Sequence, residues 1–367
     1  MVFVFTFLLV STTGVYSFMN SSKFGKFATG ERLERIKKSP NWKDGEFKNQ
    51  SFTPALTEGV SYYKVMKEFL LDKKVDLKPT DTIPNIKENL LTKSKTEDYM
   101  VWFGHSSYLI QIDGKTFLID PVLSGNASPV KFTTKAFLGA NEYKVSDLPA
   151  IDYLLLTHDH WDHLDYETVI ALKSKVNQII CPLGVGAHLE HWGFDMTKVA
   201  EQDWYDSIQF KENTTIHLMP ARHFSGRGFK RNQSLWTSYV LEIADKRIYM
   251  GGDSGYDKHF KEIGDKFGSF DLAILENGQY DKSWKYIHMM PEEVIQAAKD
   301  LNTKMLLPVH NSKFNLGNHP WYEPLQRITK ANDLQIKMIT PKIGQSFSPT
   351  DTNQQFEAWW QLKDNLQ

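Results

Sequence analysis

The sequence holds a single cysteine, Cys181, among 367 residues. One thiol excludes an intrachain disulfide, and because Cys181 lies within an apolar stretch, we expect it to be a buried core residue. The chain also carries no excess of charge, since its formal net charge at pH 7 is −1. Nucleic-acid-binding proteins usually present a strongly basic surface, so this balance argues against a nucleic-acid partner.

Long apolar runs are lacking outside residues 1–18. These residues are apolar or small and polar, but the first basic residue is Lys23, so the charged start of a secretory signal is missing. Eight Lys or Arg residues against four acids lie between residues 19 and 48, which would hold the rest of the chain on the cytoplasmic side if the segment inserted. We therefore expect an apolar anchor or signal segment and a membrane-associated protein. The alternatives are export, or a soluble cytoplasmic protein that starts at Met19.

The rest of the chain predicts one large domain with two extensions. Residues 99–348 alternate strand-like and helix-like stretches and would form the domain, and a hydrophobic content of 41% permits a substantial core. Residues 19–98 would form a polar N-terminal arm, and residues 349–367 a C-terminal tail that packs back or stays loose. Apolar residues at helical spacing in the arm predict one amphipathic helix, which we expect to dock on the domain: Tyr62, Val65, Met66, Phe69 and Leu70.

The segment Thr-His-Asp-His-Trp-Asp-His-Leu-Asp at residues 157–165 is the most informative part of the chain. Neutral imidazole nitrogens and carboxylate oxygens are ligands that zinc prefers. Because residues two apart on extended backbone point to the same side, His158 and His160 can bind one ion. Asp162 and His163, just past the turn, can then face a second ion. A chance pattern is the alternative interpretation, and with 12 histidines in the chain it is rare.

Further ligand-type residues follow predicted strands elsewhere in the chain. Apolar stretches run into His158, His223, Asp253 and His310, which is typical of strands whose carboxyl ends form a site. A single histidine after a strand is more often a surface residue than a ligand. The four residues together, however, predict a shared metal site.

These residues, with several longer segments, resemble the metallo-β-lactamase superfamily. Within it, the chain is similar to the N-acyl-phosphatidylethanolamine phospholipase D branch and its bacterial relatives over about residues 98–330. Sugar-phosphate lactonases of the same superfamily share several of the segments on which this resemblance rests: Trp102–Ser107, Phe117–Pro121, Gly252–Tyr256, Phe267–Ala273 and His288–Glu293.

The resemblance implies an α/β fold, the four-layer αββα sandwich, and two zinc ions or other divalent transition metals as cofactors. Asp162 and Asp253 would be the catalytic carboxylates, and both would also bind metal. The implied ligands form two sets that Asp253 bridges: His158, His160 and His223 for one zinc, and Asp162, His163 and His310 for the other.

Four further residues are candidates for substrate binding. The resemblance places Tyr280 and His288 at the rim of the metal cleft, and His319 is a weaker rim candidate. For His105, in the Gly-His-Ser-Ser segment, contact with substrate and a local role in a turn are equally supported.

Other polar residues have less specific assignments. Asp120 and Asp165 are candidates to hold ligating imidazoles from behind. His188 is expected to be a surface residue of a helix. Arg227 and Arg231, which follow His223 in the sequence, would bind a phosphate or lie in a solvated loop.

The resemblance implies a metal-dependent hydrolase in which a hydroxide that bridges two zinc ions attacks a phosphodiester. The preferred substrate is an N-acyl-phosphatidylethanolamine-like phospholipid, cleaved as by a phospholipase D at a membrane surface. The first alternative is a lactone or other ester hydrolase, and the second is a non-catalytic metal-binding module. A β-lactamase is disfavoured because Asp253 stands where some of those enzymes carry cysteine.

Overall fold

The computed structural model describes residues 13–71, 74–210 and 213–361. The N-terminal arm forms two helices and a short hairpin: α1 (Gly30–Ile36), β1 (Trp42–Lys43), β2 (Glu46–Phe47) and α2 (Tyr62–Leu71). The predicted arm helix is α2, and α1 is a second helix that the sequence analysis did not predict.

The domain contains further strands and helices that alternate along the chain. The strands are β3 (Tyr99–Trp102), β4 (Tyr108–Ile112), β5 (Lys115–Ile119), β6 (Ile151–Leu155), β7 (Val176–Pro182), β8 (Val199–Gln202), β9 (Ser207–Phe210), β10 (Thr214–Met219), β11 (Ser238–Ile243), β12 (Lys246–Met250), β13 (Leu272–Glu276), β14 (Met305–Val309), β15 (Lys337–Met338) and β16 (Ser346–Phe347). The helices are α3 (Tyr166–Leu172), α4 (Gly186–His191), α5 (His259–Phe267), α6 (Pro291–Asp300) and α7 (Glu323–Ala331).

Fourteen of the strands form two seven-stranded sheets. The first has the order β16, β3, β4, β5, β6, β7, β8, and the second the order β15, β14, β13, β12, β11, β10, β9. Each sheet combines antiparallel pairs with parallel ones, such as β5 with β6 and β12 with β13. Parallel strands carry their carboxyl ends to the same edge of a sheet, so the loops that follow them lie together.

Both faces of each sheet are apolar and covered. Ile110 of β4 is buried between the sheets together with Leu241 of β11, whereas its neighbour Leu109 packs outward with Val169 of α3. Leu275 of β13 likewise packs outward among residues of α5, α6 and α7. Because side chains alternate between the two faces of each strand, they form a central core between the sheets and an outer core on the far face of each sheet. The chain has the predicted four-layer αββα fold.

Both extensions pack more closely than the sequence indicated. In the C-terminal tail, Trp359 and Trp360 are 2% and 5% exposed and join the core between the sheets. In the arm, Ile36 and Phe47 are fully buried in an apolar cluster of their own with residues of the domain.

Two of the five residues on which the docking of α2 was predicted, Tyr62 and Met66, are largely exposed, and Val65 is half-buried. Tyr62, Tyr63 and Met66 are 67%, 79% and 58% exposed. Helical spacing predicts that a face is apolar, but it does not say which surface covers that face.

The predicted apolar segment at residues 1–18 lies largely outside the described residues. Of it, the structure describes residues 13–18, which are helical. Among the residues that the structure describes, no helix is long and apolar enough to cross a membrane.

Candidate metal centre

Strands of both sheets bring polar side chains to one place. The segment that contains the three motif histidines follows Leu155 at the end of β6, His223 follows β10, Asp253 follows β12 and His310 follows β14. Glu276 is itself the last residue of β13. Apolar strands fix the backbone, and the polar residues after them are free to face the site.

The histidines and carboxylates form four overlapping groups among the described residues, and within each group the ligand atoms lie within 4.8 Å of one another. The structure brings all seven residues predicted to be ligands close together. Two of the groups together contain all seven: the first group is His158, His160, His223 and Asp253, and the second is His105, Asp162, His163 and His310. The other two are Asp253, Glu276, His288 and His310, and Asp120, His158 and His163.

The carboxylate of Asp253 lies between the two groups. Its Oδ2 is 3.1 Å from His163 Nε2 and 3.2 Å from His310 Nε2 in the second group. The same oxygen is 3.7 Å from His223 Nε2 and 3.9 Å from His158 Nε2 in the first group. This is the position that a bridging ligand needs.

Partners behind the imidazoles fix the direction in which their other nitrogens point. His163 Nδ1 lies 2.8 Å from Asp120 Oδ2, and His223 Nδ1 donates to the carbonyl of Ile287 at 2.9 Å. Both rings therefore turn Nε2 toward the centre. Asp120 has the orienting role expected of it, whereas Asp165 accepts from Thr168 Oγ1 and Glu167 N at the start of α3.

Glu276 is a site residue that the sequence analysis missed. It is fully buried, and its Oε2 lies 2.8 Å from His288 Nδ1 and 3.3 Å from His310 Nδ1. Its Oε1 accepts a hydrogen bond from Met289 N at 2.6 Å. One carboxylate thus orients a ligand histidine and a histidine of the cleft. An acid that ends an apolar strand, on the strand next to β12 and β14, was the available signal.

The histidines of the first group are neutral at physiological pH. Burial lowers the pKa of His160 to about 4, and burial with the neighbouring histidines lowers the pKa of His158 well below its usual value. Burial also lowers the pKa of His223 well below the usual range. Neutral imidazole is the form that binds metal, so these three residues are ready to coordinate.

The second group combines the charged carboxylate of Asp162 with two histidines, His163 and His310, whose pKa values are raised, whereas burial lowers the pKa of His105 to about 3. Burial opposes ionisation of Asp162, but His163, His105 and His310 outweigh it and lower its pKa well below the usual value. Burial likewise opposes the charged form of His310, yet Asp253 and Asp162 raise its pKa to about 10. The carboxylates thus attract positive charge, which protons supply when no metal is bound.

The unpaired atoms of the site fit a bound cation. Asp253 Oδ1 is buried and has no hydrogen-bond partner within the described part of the chain, and the same is true of His163 Nε2, whose 3.1 Å approach to Asp253 Oδ2 does not have hydrogen-bond geometry. Buried polar atoms without partners are rare and costly. Metal ions held by the two groups would coordinate both residues, and the mixed imidazole and carboxylate donors suit zinc or a similar divalent transition metal.

Three site residues have left-handed backbone conformations. The φ angles are 54° for His105, 66° for His310 and 40° for Asp120. Such conformations cost about 1–3 kcal/mol each in residues other than glycine, and functional sites are one place where they cluster. Backbone bonds offset part of the strain, since His310 N donates to His105 O at 2.9 Å and His105 N donates to Asn311 O at 3.0 Å.

Of the four residues predicted to bind substrate, only His288 lines the metal cleft. His105 is fully buried, and its Nε2 lies 2.8 Å from Asp162 Oδ2, so it holds a ligand instead. Tyr280 is buried and donates to Glu323 Oε1 at 3.0 Å, and its ring stacks on His319. The direct substrate roles predicted for His105, Tyr280 and His319 are therefore corrected, because position in the loop did not show which way each ring points.

Two other expectations also change. His188 is 2% exposed rather than a surface residue, because the N-terminal arm covers it. Arg227 is 3% exposed and donates to the carbonyls of Asp159 and Leu164, so it holds the motif loop and does not face the cleft. Arg231, in contrast, is exposed and lines the cleft.

Several of the residues predicted to be ligands line a cleft of about 260 Å³. One wall comes from the arm, another from the loop before α6, and a third from the loop after His223. Most of the remaining lining is apolar: Ala55, Leu56, Tyr62, Phe224, Trp284, Ile287 and Leu316. Polar groups other than the predicted ligands are few, and among them Arg231 and His288 are the ones that can carry a positive charge. The cleft therefore suits a substrate with an apolar body and a polar reacting group.

Comparison with known proteins agrees with this geometry. A model of the beta-lactamase superfamily domain matches residues 115–311, just over half of the chain. An uncharacterized protein of Mycobacterium tuberculosis is 38% identical over 88% of each chain. An N-acyl-phosphatidylethanolamine-hydrolyzing phospholipase D of Caenorhabditis elegans is 30% identical over 69% of this chain and 76% of its own. The structure of a metallo hydrolase from Ignicoccus hospitalis shares the fold, with a TM-score of 0.53 at 19% identity over 69% of this chain and 98% of its own. The chain belongs to the metallo-β-lactamase superfamily and is a metal-dependent hydrolase.

Proposed function

We propose that this hydrolase is a two-metal phosphodiesterase of phospholipase D type that acts on N-acyl-phosphatidylethanolamine-like lipids. The observation that carries the proposal is the pair of ligand groups that share Asp253 beneath a largely apolar cleft. Two adjacent metal ions are the usual means of stabilising both the attacking and the leaving oxygen of a phosphodiester.

The ligands have distinct tasks in this scheme. The neutral imidazoles of His158, His160 and His223 would hold one ion, and Asp162, His163 and His310 would hold the other. Asp253 would neutralise part of the charge of both ions. When bound, such a pair supplies a nucleophilic water at neutral pH and Lewis-acid stabilisation of a phosphoryl oxygen.

His288 and Glu276 would handle the proton. Because Glu276 accepts at His288 Nδ1, the other nitrogen of the ring, Nε2, is directed away from the carboxylate, and the residue lines the cleft. With Nδ1 held by the carboxylate, Nε2 is the ring nitrogen that would pass a proton to the leaving oxygen. The ring of His288 also stacks on that of His310 at 5.1 Å, which fixes it beside the metal ligands.

Arg231 favours a phosphodiester over an uncharged ester. Its guanidinium lies 4.8 Å from the ring centroid of Phe224, and both residues line the cleft. A guanidinium binds phosphate oxygens through two parallel hydrogen bonds, whereas the ester group of a lactone carries no charge to match it. The apolar walls would hold the acyl chains and exclude water.

A peripheral contact with a lipid surface is part of the proposal. Tyr62 lines the cleft, and next to it on α2 the exposed side chains of Tyr63 and Met66 alternate with Lys64 and Lys67. Exposed aromatic and apolar residues beside lysines are suited to anionic membrane surfaces. The cleft would then open toward the lipid that it cleaves.

The substrate class can be tested directly with the metal-loaded full-length protein. We expect hydrolysis of an N-acyl-phosphatidylethanolamine in vesicles and of a soluble phosphodiester, with little activity on lactones or β-lactams. Arg231→Ala should raise KM for both phosphodiesters, whereas Lys230→Ala, on the adjacent exposed residue, should have a smaller effect. Rapid opening of lactones with no cleavage of phosphodiesters would replace this proposal by the ester hydrolase.

The lipid-surface part has a separate test. Tyr63→Ser with Met66→Ser should lower activity on vesicles while leaving turnover of the soluble phosphodiester unchanged. Deletion of residues 1–18 should act in the same direction. Equal effects on both substrates would contradict the surface contact and leave the phosphodiesterase itself untouched.

A further inference from the structure

The N-terminal arm touches the metal ligand His223 through one side chain, Asn49. Asn49 Nδ2 donates to the carbonyl of His223 at 2.7 Å, and His223 N donates to Asn49 Oδ1 at 3.1 Å. Trp236 Nε1 also donates to this oxygen at 3.1 Å, which fixes the amide. His223 lies in a loop after β10, so the Asn49 amide pairs with its backbone as a neighbouring strand would.

The arm makes a second contact behind the other two ligands of the same group. Lys26 N donates to His188 Nδ1 at 3.0 Å, so His188 carries its proton on Nε2 and donates it to Asp159 Oδ2 at 3.1 Å. Asp159 separates His158 from His160 in the sequence, and it is 2% exposed. Because alternate residues on extended backbone point to opposite sides, Asp159 anchors the loop from the side away from the metals.

Residues of the domain complete this second contact. Asp159 Oδ1 accepts from Gly226 N at 2.6 Å, and Arg227 Nη1 donates to the carbonyl of Asp159 at 3.0 Å. On its other side, Arg227 Nη2 donates to the carbonyl of Lys23 in the arm at 2.8 Å. A buried guanidinium therefore joins the arm to the ligand loop.

The close fit of the arm depends on a glycine. Gly25 has a φ angle of 70°, and a Cβ at this position would lie 2.1 Å from His188 Nδ1. The arm can approach His188 closely enough for the Lys26 hydrogen bond only because residue 25 has no side chain.

The second ligand group has supports of a different origin. His105 holds Asp162, Asp120 holds His163, and Glu276 contacts His310. All three supports belong to the domain, whereas both arm contacts act on the group of His158, His160 and His223. The domain supports both halves, since His223 Nδ1 also donates to the Ile287 carbonyl, but the arm contacts act on the three-histidine half.

We propose that residues 22–49 of the arm position the three-histidine half of the metal centre, with Asn49 as the principal positioning residue. The proposal rests on the two-metal function proposed above. It makes the arm part of the site, and it assigns to Asn49 a selective effect on one of the two metal ions.

The test compares Asn49→Ala and Asn49→Asp with Gln50→Ala in the full-length chain. Asn49→Asp keeps the size and the acceptor but removes the donor to His223 O. Gln50 is the matched control, because its side chain also joins the arm to the domain, through Tyr205 Oη at 2.7 Å, but touches no ligand loop. Zinc affinity is measured by competition with a chelator, and Tm is measured for each metal-free protein.

We expect wild type and Gln50→Ala to bind two zinc ions per chain. In both Asn49 variants one ion should bind about 10–100-fold more weakly and the other unchanged, which is the usual effect of removing support from a metal ligand. The Tm of the metal-free Asn49→Asp protein should match that of Gln50→Ala, and added zinc should restore kcat.

Three results would overturn the proposal in distinguishable ways. Two ions bound with wild-type affinity in both Asn49 variants would refute the positioning role alone. An equal loss of both ions would show a general structural effect instead. Fewer than two ions in the wild-type chain would refute the two-metal function on which the proposal rests.

Discussion

Replacement of Glu276 by Gln probes the residue that the sequence analysis missed. Glutamine has the same size, and its Oε1 can still accept from Met289 N, so the fold should survive. Its amide, however, no longer offers a negative charge to His288 Nδ1, which lies 2.8 Å from the carboxylate, or to His310 Nδ1 at 3.3 Å. The variant therefore removes charge from behind two imidazoles without opening a cavity.

The expected loss follows from the shorter of these contacts. A hydrogen bond to a charged group contributes about 1.5–3 kcal/mol, and each 1.4 kcal/mol corresponds to a factor of ten. We therefore expect kcat/KM on a soluble phosphodiester to fall about 10–100-fold. The fall should lie mainly in kcat, because His288 would act on the leaving oxygen and not on substrate affinity.

Steady-state kinetics at saturating zinc provide the assay, with Glu293→Gln as the matched control. Glu293 also accepts from a backbone N–H, that of Met290 at 2.8 Å. It is not one of the residues in the ligand groups, so its variant should retain nearly full activity. If Glu276→Gln is as active as Glu293→Gln, the proton-handling role of the Glu276–His288 pair is refuted.

Two further predictions concern metal binding and the C-terminal tail. His310 has a pKa of about 10 and His163 has a raised pKa, so both are protonated near pH 7 in the metal-free protein. Zinc must displace these protons, and its affinity should therefore rise about tenfold per pH unit for each proton displaced. Calorimetric titration at pH 6, 7 and 8 checks this, and a pH-independent affinity would contradict it. Trp359→Ala should lower the free energy of unfolding by about 3–5 kcal/mol, because this side chain is 2% exposed within the central core. Urea denaturation measures this, and a loss below about 1 kcal/mol would show that packing of the tail contributes little to stability.

The sequence was sufficient to predict the fold and to name seven residues that the structure brings together, and their role as ligands stays a prediction. Apolar runs followed by His158, His223, Asp253 and His310 predict both the strands and the polar residues after them, because each strand and its following residue are neighbours in the sequence. Helix α6 was predictable for the same reason, since Pro291 and two acids mark its start.

The supports behind the ligands depend on contacts between distant segments and were harder to predict. Glu276 appears in the sequence as the last residue of an apolar strand, and its partners lie 12 and 34 positions later. The amide of Asn49 meets His223 across 174 positions. The burial of His188 could not be predicted from its helix, because the segment that covers it, at Lys26, is 162 positions away in the sequence.

Metal analysis of the purified protein tests the central claim most directly. The two groups joined by Asp253 predict about two zinc or similar divalent ions per chain in the wild type, and loss of both on replacement of Asp253 by Ala, because the shared carboxylate contacts both groups. Two ions retained in Asp253→Ala would show that this carboxylate is not a bridge. A metal content near zero in the wild type, with hydrolytic activity unaffected by a strong chelator, would contradict the account.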